Sequence, residues 1–196
     1  MKKIISWKSL ILFISLGFLS FCTPRQAEEA FSEEMQVIFR NAGLPLLRQK
    51  ISPQAFSLPL PAPTGVPESL SRHIALNELV GNVVFLNFWA TWCGPCRDEM
   101  PSMEALYNRF KDQGLEILAV NSMERSEEVK AFMDSYDLTF PTVLDIDGTV
   151  TRAYGIQAIP TTYIIDREGN IIVRLVGSID WDTSEIHAAF ELLLNS

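Results

Sequence analysis

Cysteine and histidine are scarce in this chain, with three and two copies among 196 residues. Three cysteines are too few for a scaffold that disulfide bonds hold together. A structural zinc site needs four ligands, usually in closely spaced pairs. None of His73, His187 and Cys22 has a partner at such a spacing. The only close pair is Cys93 and Cys96, so we predict no metal site and expect redox chemistry at this pair.

The chain is also poor in basic residues, with 16 Lys and Arg against 24 Asp and Glu and a formal net charge of −8 at pH 7. An acidic surface repels nucleic acid phosphates and anionic lipid headgroups. We therefore exclude nucleic acid as a partner of the folded domain. The length and the 47% hydrophobic content are sufficient for one globular domain with an appended segment.

The N-terminal apolar run, Leu10–Phe21, is about a dozen residues long, whereas a membrane-spanning helix needs roughly 20. Lysines precede this run, so residues 1–21 have the composition of a secretory signal peptide. The run ends at Cys22 with Leu19 three residues before it, which resembles a bacterial lipoprotein signal whose cysteine becomes the lipid anchor. An uncleaved N-terminal anchor and a soluble secreted form are the alternatives.

Residues 22–52 are predicted to form a tether between the anchor and the folded domain. Apolar side chains recur at helical spacing over residues 26–42, with glutamates near the start, which predicts one amphipathic helix. Gly43 and Pro45 end this helix. We expect it to pack on the main domain; a partner-binding element near the membrane is the alternative. The proline-rich stretch 53–67 predicts a linker and an edge hairpin.

The chemistry is concentrated in a short stretch that follows a buried strand, predicted by the apolar run Val83–Trp89. Cys93 and Cys96 then follow at a spacing that places them one turn apart at the start of a helix. Unpaired N–H groups at a helix N-terminus stabilise a thiolate. We therefore assign Cys93 as the nucleophile and Cys96 as the resolving thiol, with their redox-active disulfide in place of a separate cofactor. A purely structural disulfide is the alternative.

Strands and helices alternate through the rest of the chain, which predicts an α/β fold. The predicted strands cover residues 82–89, 115–121, 142–144, 161–166 and 171–177, and a short strand with a helical turn covers 74–79. The predicted helices cover residues 93–111, 126–136, 148–154 and 184–194. The last two strands are joined by a tight turn and form a hairpin.

Several features resemble the thioredoxin fold: the run Trp89-Ala-Thr-Trp-Cys-Gly-Pro-Cys96, the later Ile159-Pro160-Thr161-Thr162 before a strand, and the terminal hairpin and helix. The chain also resembles the TlpA/ResA-like branch of this fold, whose members are membrane-tethered envelope thiol-disulfide oxidoreductases. The features that carry this resemblance are the strand and helix over 115–136, Pro101 inside the helix that begins at Cys93, and the exported N-terminus. The resemblance covers residues 53–196. It implies a thioredoxin-like domain with a mixed central β-sheet flanked by helices, an extra strand-helix insertion and an N-terminal hairpin.

The resemblance also implies roles for residues around the cysteines. Pro160 is expected to be cis and to face the disulfide, with Ile159 and Thr161 beside a bound substrate strand. Thioredoxin has a buried aspartate in the strand before its cysteines, which accepts the proton of the buried thiol. Asn87 occupies that position in this chain, and an amide cannot accept this proton. Members of this branch carry an acid at the position of Glu99, so Glu99 is expected to hold or shuttle the proton of the resolving thiol. A solvated first-turn glutamate is the alternative.

Trp92, Gly94 and Pro95 are predicted to contact the substrate. Gly94-Pro95 is the pair found between the cysteines of thioredoxins, so the resemblance implies a reductant. It also implies substrates among disulfide-bearing envelope proteins, such as apocytochrome c. It also implies a membrane electron donor of the DsbD/CcdA type and a location on the extracytoplasmic, periplasmic face of a bacterial membrane. A Cu(I)-binding thiol metallochaperone is one alternative. A thiol peroxidase is another, although the Pro-x-x-x-Thr pattern that such enzymes have before their cysteine is missing here.

Overall fold

The computed structural model describes residues 31–62 and 70–196. Its strands are β1 Leu46–Ile51, β2 Ser57–Pro59, β3 His73–Ala75, β4 Val83–Trp89, β5 Leu115–Ser122, β6 Thr142–Asp145, β7 Thr161–Ile165 and β8 Ile171–Val176. Its helices are α1 Glu33–Asn41, α2 Gly94–Phe110, α3 Ser126–Ser135, α4 Thr149–Ala153 and α5 Ser184–Leu194, and 3₁₀ helices cover Leu76–Leu79 and Lys111–Gln113. The predicted signal peptide, Cys22 and the start of the helix predicted over residues 26–42 lie outside the described residues.

One mixed sheet of six strands forms the centre of the fold, in the order β1–β8–β7–β4–β5–β6. Strands β4, β5 and β6 run parallel to one another. Strand β7 is antiparallel to β4, β8 to β7, and β1 to β8. A separate antiparallel pair joins β2 and β3. Strand β2 lies in the stretch 53–67 for which an edge hairpin was predicted, but its partner β3 lies beyond that stretch. The expected thioredoxin-like fold, with a mixed central sheet flanked by helices, is confirmed.

Strand β4 is buried along its whole length because both faces of the sheet are covered. Its alternate residues Phe85 and Trp89 pack in a core with side chains of α1, α2, α3 and α5. Leu86 and Phe88 point to the opposite face, into a second core with β3 and α4. Among the helices of the described ranges, none has the length and apolarity required to cross a membrane.

Helix α1 and strand β1 belong to the folded body rather than to a free tether. Phe39 of α1 is fully buried, and α1 packs against α5. The interpretation of this helix as packed on the main domain is therefore confirmed. Strand β1 pairs with β8, with Leu46 opposite Val173, so the boundary predicted between residues 52 and 53 does not separate a tether from the sheet. The sequence did not predict β1 because it is an edge strand, and its residues 48–51 are exposed and form no apolar run.

The topology brings the predicted site residues to one edge of the central sheet. The parallel strands β4, β5 and β6 all end at this edge, and α2 begins just beyond β4. Strand β7 runs in the opposite direction, so Pro160, which directly precedes it, reaches the same edge. Helix α2 continues through Pro101, and the chain then turns at Gly114, whose φ of 96° favours glycine.

Candidate active site

A disulfide bond joins Cys93 and Cys96 at the N-terminus of α2, with their Cα atoms 5.3 Å apart. Cys93 is the N-cap residue, and the backbone N–H of Cys96 donates to Cys93 Sγ at 3.2 Å. This N–H and the positive end of the helix dipole would stabilise a thiolate at Cys93 after reduction. Cys93 is 5% exposed and Cys96 is fully buried, so Cys93 is the more accessible of two shielded sulfurs.

The Ile159–Pro160 peptide bond is cis, as the resemblance implied. The carbonyl oxygen of Ile159 lies 3.6 Å from Cys93 Sγ. Ile159 is half-buried and Pro160 is buried at the start of β7. Thr161 begins β7, where its side chain is fully buried and its hydroxyl donates to the Ala158 carbonyl at 2.7 Å.

Glu99 is buried on α2, one turn after Cys96, with only 1% of its surface exposed. Its Oε1 accepts a hydrogen bond from Asn87 Nδ2 and its Oε2 accepts one from Trp181 Nε1, both at 3.0 Å. Burial raises the pKa of Glu99 from 4.5 to about 7, and these hydrogen bonds, with one from the Ile179 backbone, oppose the rise. The alternative of a solvated first-turn glutamate is therefore wrong.

Asn87 is fully buried on β4 and binds Glu99 directly. Its Nδ2 also donates to Thr162 Oγ1 on the neighbouring strand β7 at 3.0 Å. Its Oδ1 has no hydrogen-bond partner among the protein groups of the described residues. The sequence predicted that this amide leaves the proton-accepting role to another residue, and the structure adds that the amide holds the carboxylate of Glu99.

Two residues of the site had no motif in the sequence. Trp181, in the loop between β8 and α5, donates its indole N–H to Glu99. Glu124, two residues after the end of β5, accepts hydrogen bonds from the backbone N–H of Thr91 at 2.7 Å and from the Thr91 hydroxyl. Asn121 Nδ2 donates to the same carboxylate at 2.7 Å. The one available signal for Glu124 was its position, since residues that follow adjacent parallel strands meet at the same edge.

The predicted substrate contacts around Cys93 are largely accessible. Trp92 is 69% exposed, and Gly94 and Pro95 are exposed as well. Met123, 61% exposed, and Ile146, 41% exposed, follow β5 and β6 at the same edge. We define Trp92, Met123 and Ile146 as the apolar rim.

Hydrogen bonds link the three loops that carry the apolar rim. Thr91, next to Trp92, binds Glu124, which is next to Met123. The N–H of Met123 donates to the carbonyl of Asp145 at 3.0 Å, and Asp145 adjoins Ile146. The three rim residues therefore follow adjacent strands at the edge of the sheet where α2 begins. In the parts of the chain that the structure describes, no group of three or more His, Cys, Asp or Glu could hold a metal ion.

Fold and site together define a thioredoxin-fold protein with a dithiol-disulfide centre, and comparison with known proteins supports this class. The AhpC/TSA family matches residues 54–174, so the chain belongs to that family. It is also similar to Thiol-disulfide oxidoreductase ResA of Bacillus subtilis (strain 168), with 44% identity over 122 residues that cover 62% of this chain and 67% of the relative.

A second ResA, from Bacillus thuringiensis subsp. konkukian (strain 97-27), is 42% identical over 106 residues, which cover 54% of this chain. The match spans 61% of that relative's length. A crystal structure from Chlorobium tepidum, assigned as thiol:disulfide interchange protein DsbE, is 28% identical with a TM-score of 0.64 and covers 74% of this chain and 96% of its own. The chain is thus ResA-like, and these relatives support a thiol-disulfide oxidoreductase as the enzyme class.

Proposed function

We propose that this protein is an exported thiol-disulfide oxidoreductase that reduces disulfide bonds of envelope proteins through Cys93 and Cys96. The observation that carries the proposal is a disulfide at the N-terminus of α2 with the buried carboxyl Glu99 one turn further along the helix. The helix end favours the thiolate that attacks, and the carboxyl, with a pKa of about 7, can exchange a proton at neutral pH.

In the reduced protein the Cys93 thiolate attacks one sulfur of the substrate disulfide and forms a mixed disulfide. The other substrate sulfur leaves as a thiolate and takes up a proton from water. Cys96 then gives its proton to Glu99 and attacks Cys93 Sγ, which releases the second substrate sulfur and closes the Cys93–Cys96 bond. Two electrons pass from the cysteines to the substrate, and a membrane donor of the DsbD/CcdA type would restore the dithiol.

The substrate would lie across the exposed residues around Cys93. Ile159 would contact the chain next to the attacked sulfur, and Trp92, Gly94 and Pro95, which adjoin Cys93 in the chain, are exposed. The apolar rim extends this surface toward β6 and would favour an unfolded segment with apolar residues. Apocytochrome c, whose cysteines must be reduced before haem attachment, is our candidate substrate.

The composition of the N-terminal segment supports a proposed extracytoplasmic location. Residues 1–21 would export the chain, and lipidated Cys22 would hold it at the extracytoplasmic face of the membrane. Metabolic labelling with a radiolabelled fatty acid tests the anchor. Label that is incorporated and lost in Cys22→Ser supports it, and absent label, or label that survives this substitution, contradicts it.

Trapping of mixed disulfides tests the reaction in the native envelope. Cys96→Ala leaves the nucleophile without its resolving thiol, so substrates are expected to stay bound to Cys93, where mass spectrometry identifies them. The control is the double variant Cys93→Ala with Cys96→Ala, which should trap nothing. Adducts that are absent from Cys96→Ala, or equally abundant in the control, would contradict dithiol exchange.

The proton role of Glu99 has its own test. Glu99→Gln keeps the size of the side chain and removes the titratable group, so the exchange rate is expected to lose its pH dependence near pH 7. Stopped-flow fluorescence with a disulfide-containing peptide measures this rate. An unchanged rate and an unchanged titration of Cys96 would remove Glu99 from the mechanism without removing the cysteine chemistry.

A further inference from the structure

Trp181 is attached to Glu99 at two points. Its indole N–H donates to Glu99 Oε2 at 3.0 Å. Its backbone N–H donates to Ser102 Oγ at 3.0 Å, and the Ser102 hydroxyl in turn donates to the Glu99 carbonyl at 2.8 Å. Trp181 is fully buried, and its ring packs edge-on against Phe85 of β4 with centroids 4.5 Å apart. Trp181 lies 82 residues from Glu99 in the chain, and these hydrogen bonds connect it to both the side chain and the backbone carbonyl of Glu99.

We propose that Trp181 is a positioning residue that lowers the proton affinity of the buried Glu99 carboxyl, and that Ser102 fixes Trp181 in place. The proposal rests on the proposed role of Glu99 as proton partner of Cys96. It goes beyond that role because it assigns the control of the proton affinity to a side chain outside the cysteine helix.

The physical reason is the balance between burial and hydrogen bonding at Glu99. Removal from water disfavours the carboxylate, and each N–H aimed at its oxygens stabilises it. Protonation would convert one oxygen into a hydroxyl, which is a poorer acceptor for an N–H that cannot turn away. A donor held rigidly in a packed core therefore favours the anion more than a mobile donor would.

In the described part of the chain, the surroundings of Glu99 supply hydrogen-bond donors and no ion-paired cation. Asn87 faces it from β4, and Trp181 with the Ile179 backbone faces it from the loop before α5. Cys96 precedes it by one turn on α2. Among the described residues no Lys, Arg or His side chain forms an ion pair with Glu99. The three N–H donors are thus what the structure offers to keep this carboxyl ionised.

Trp89 shows that the indole N–H is not needed for packing in this core. Trp89 is fully buried in the same core as Trp181, yet its Nε1 has no hydrogen-bond partner among the described groups. The two tryptophans differ in this contact and not in burial. Removal of only the indole N–H at position 181 should therefore change the proton affinity of Glu99. The same removal at position 89 should leave that affinity unchanged.

The test replaces Trp181 by 3-benzothienyl-alanine, which keeps the shape of the indole and lacks the N–H. Carbon-13 NMR of glutamate-labelled full-length protein, with the disulfide intact, follows the Glu99 carboxyl, and Glu99→Gln identifies its resonance. Loss of one donor to a charged group is expected to raise the titration midpoint by about one pH unit. The same replacement at Trp89 should leave the midpoint unchanged. An unmoved midpoint, or an equal shift from position 89, would overturn the proposal.

Ser102 provides a second, independent variant. Ser102→Ala removes the contact that fixes the Trp181 backbone, so a smaller rise of the same midpoint is expected, and Ser102→Thr should restore it by returning the hydroxyl. A wild-type midpoint in Ser102→Ala would overturn the role of Ser102. Because the midpoint is read without any substrate, it is separate from the exchange assay of Glu99→Gln, which decides whether Glu99 acts in the reaction.

Discussion

The carboxylate of Glu124 accepts both hydrogen bonds that Thr91 can donate, one from its backbone N–H and one from its hydroxyl. Thr91 lies two residues before Cys93, in the turn that leads from β4 into α2. Because Glu124 follows β5, these contacts attach the turn before the nucleophile to the neighbouring strand. The position of Cys93 therefore depends on a side chain that the cysteine motif does not contain.

Glu124→Gln is expected to loosen this turn. A neutral amide in place of the carboxylate removes the charge that strengthens the hydrogen bonds from Thr91 and Asn121, so the free energy of unfolding should fall by about 1–2 kcal/mol. Guanidinium unfolding measures this change, and exchange with a disulfide peptide should slow as well. Glu127→Gln, an exposed site on α3, is the control. Equal stability of the two variants would show that Glu124 does not hold the turn.

Glu99 should make the stability of the protein fall as pH rises through neutrality. Its pKa is about 7 in the folded state against 4.5 when unfolded, so the folded state binds the extra proton between these values. The stabilisation is complete below pH 4.5 and is lost by about pH 8, a decrease of roughly 3 kcal/mol. Unfolding of the wild type and Glu99→Gln at a series of pH values measures it. Parallel pH profiles of the two proteins would contradict the raised pKa.

Met123 in the apolar rim should contribute to the binding of protein substrates. Met123→Ser removes apolar surface that a docked chain would cover, and KM for a protein disulfide is expected to rise about 3- to 10-fold. The reaction with a small dithiol should not change, because such a reagent does not reach the rim. Val80→Ser, 60% exposed before β4 at the opposite edge of the sheet, is the control. Equal KM values for the two variants would exclude the rim from docking.

Phe39 tests whether helix α1 is part of the folded body. Its side chain is fully buried in the core that α1 shares with α2 and α5. Phe39→Ala is expected to lower the free energy of unfolding by about 3–5 kcal/mol, because it removes buried contacts and leaves a cavity. Val37→Ala, 50% exposed on the same helix, should cost much less. A Phe39→Ala protein as stable as the control would mean that α1 is a detachable tether.

The sequence alone was sufficient for the features that rest on local patterns. Strand β4 reads as one apolar run because both of its faces are buried, and the start of α2 follows from the cysteine spacing. The cis bond before Pro160 was predicted through the resemblance and is confirmed. The alternating strands and helices likewise predicted the α/β class, with strand and helix ends close to those observed.

The tertiary structure decided the features that depend on contacts between distant segments. Edge strand β1 was missed because only one of its sides is paired and its outer residues are exposed. The sequence identified Glu99 as a proton partner but did not predict its burial. That burial depends on how the loop that carries Trp181 packs against α2. The contact between Glu124 and Thr91 exists because β5 lies beside β4 in the folded sheet.

The sequence by itself therefore determined the reactive groups, since the cysteine pair and its spacing define a dithiol centre wherever the chain folds. Only the tertiary structure decided the environment of those groups. Proton affinity is set by desolvation and by donors at hydrogen-bond distance, and those donors come from Asn87 on β4 and Trp181 near the C-terminus. No local pattern encodes their approach to Glu99, because it results from the packing of the whole sheet against α2 and α5.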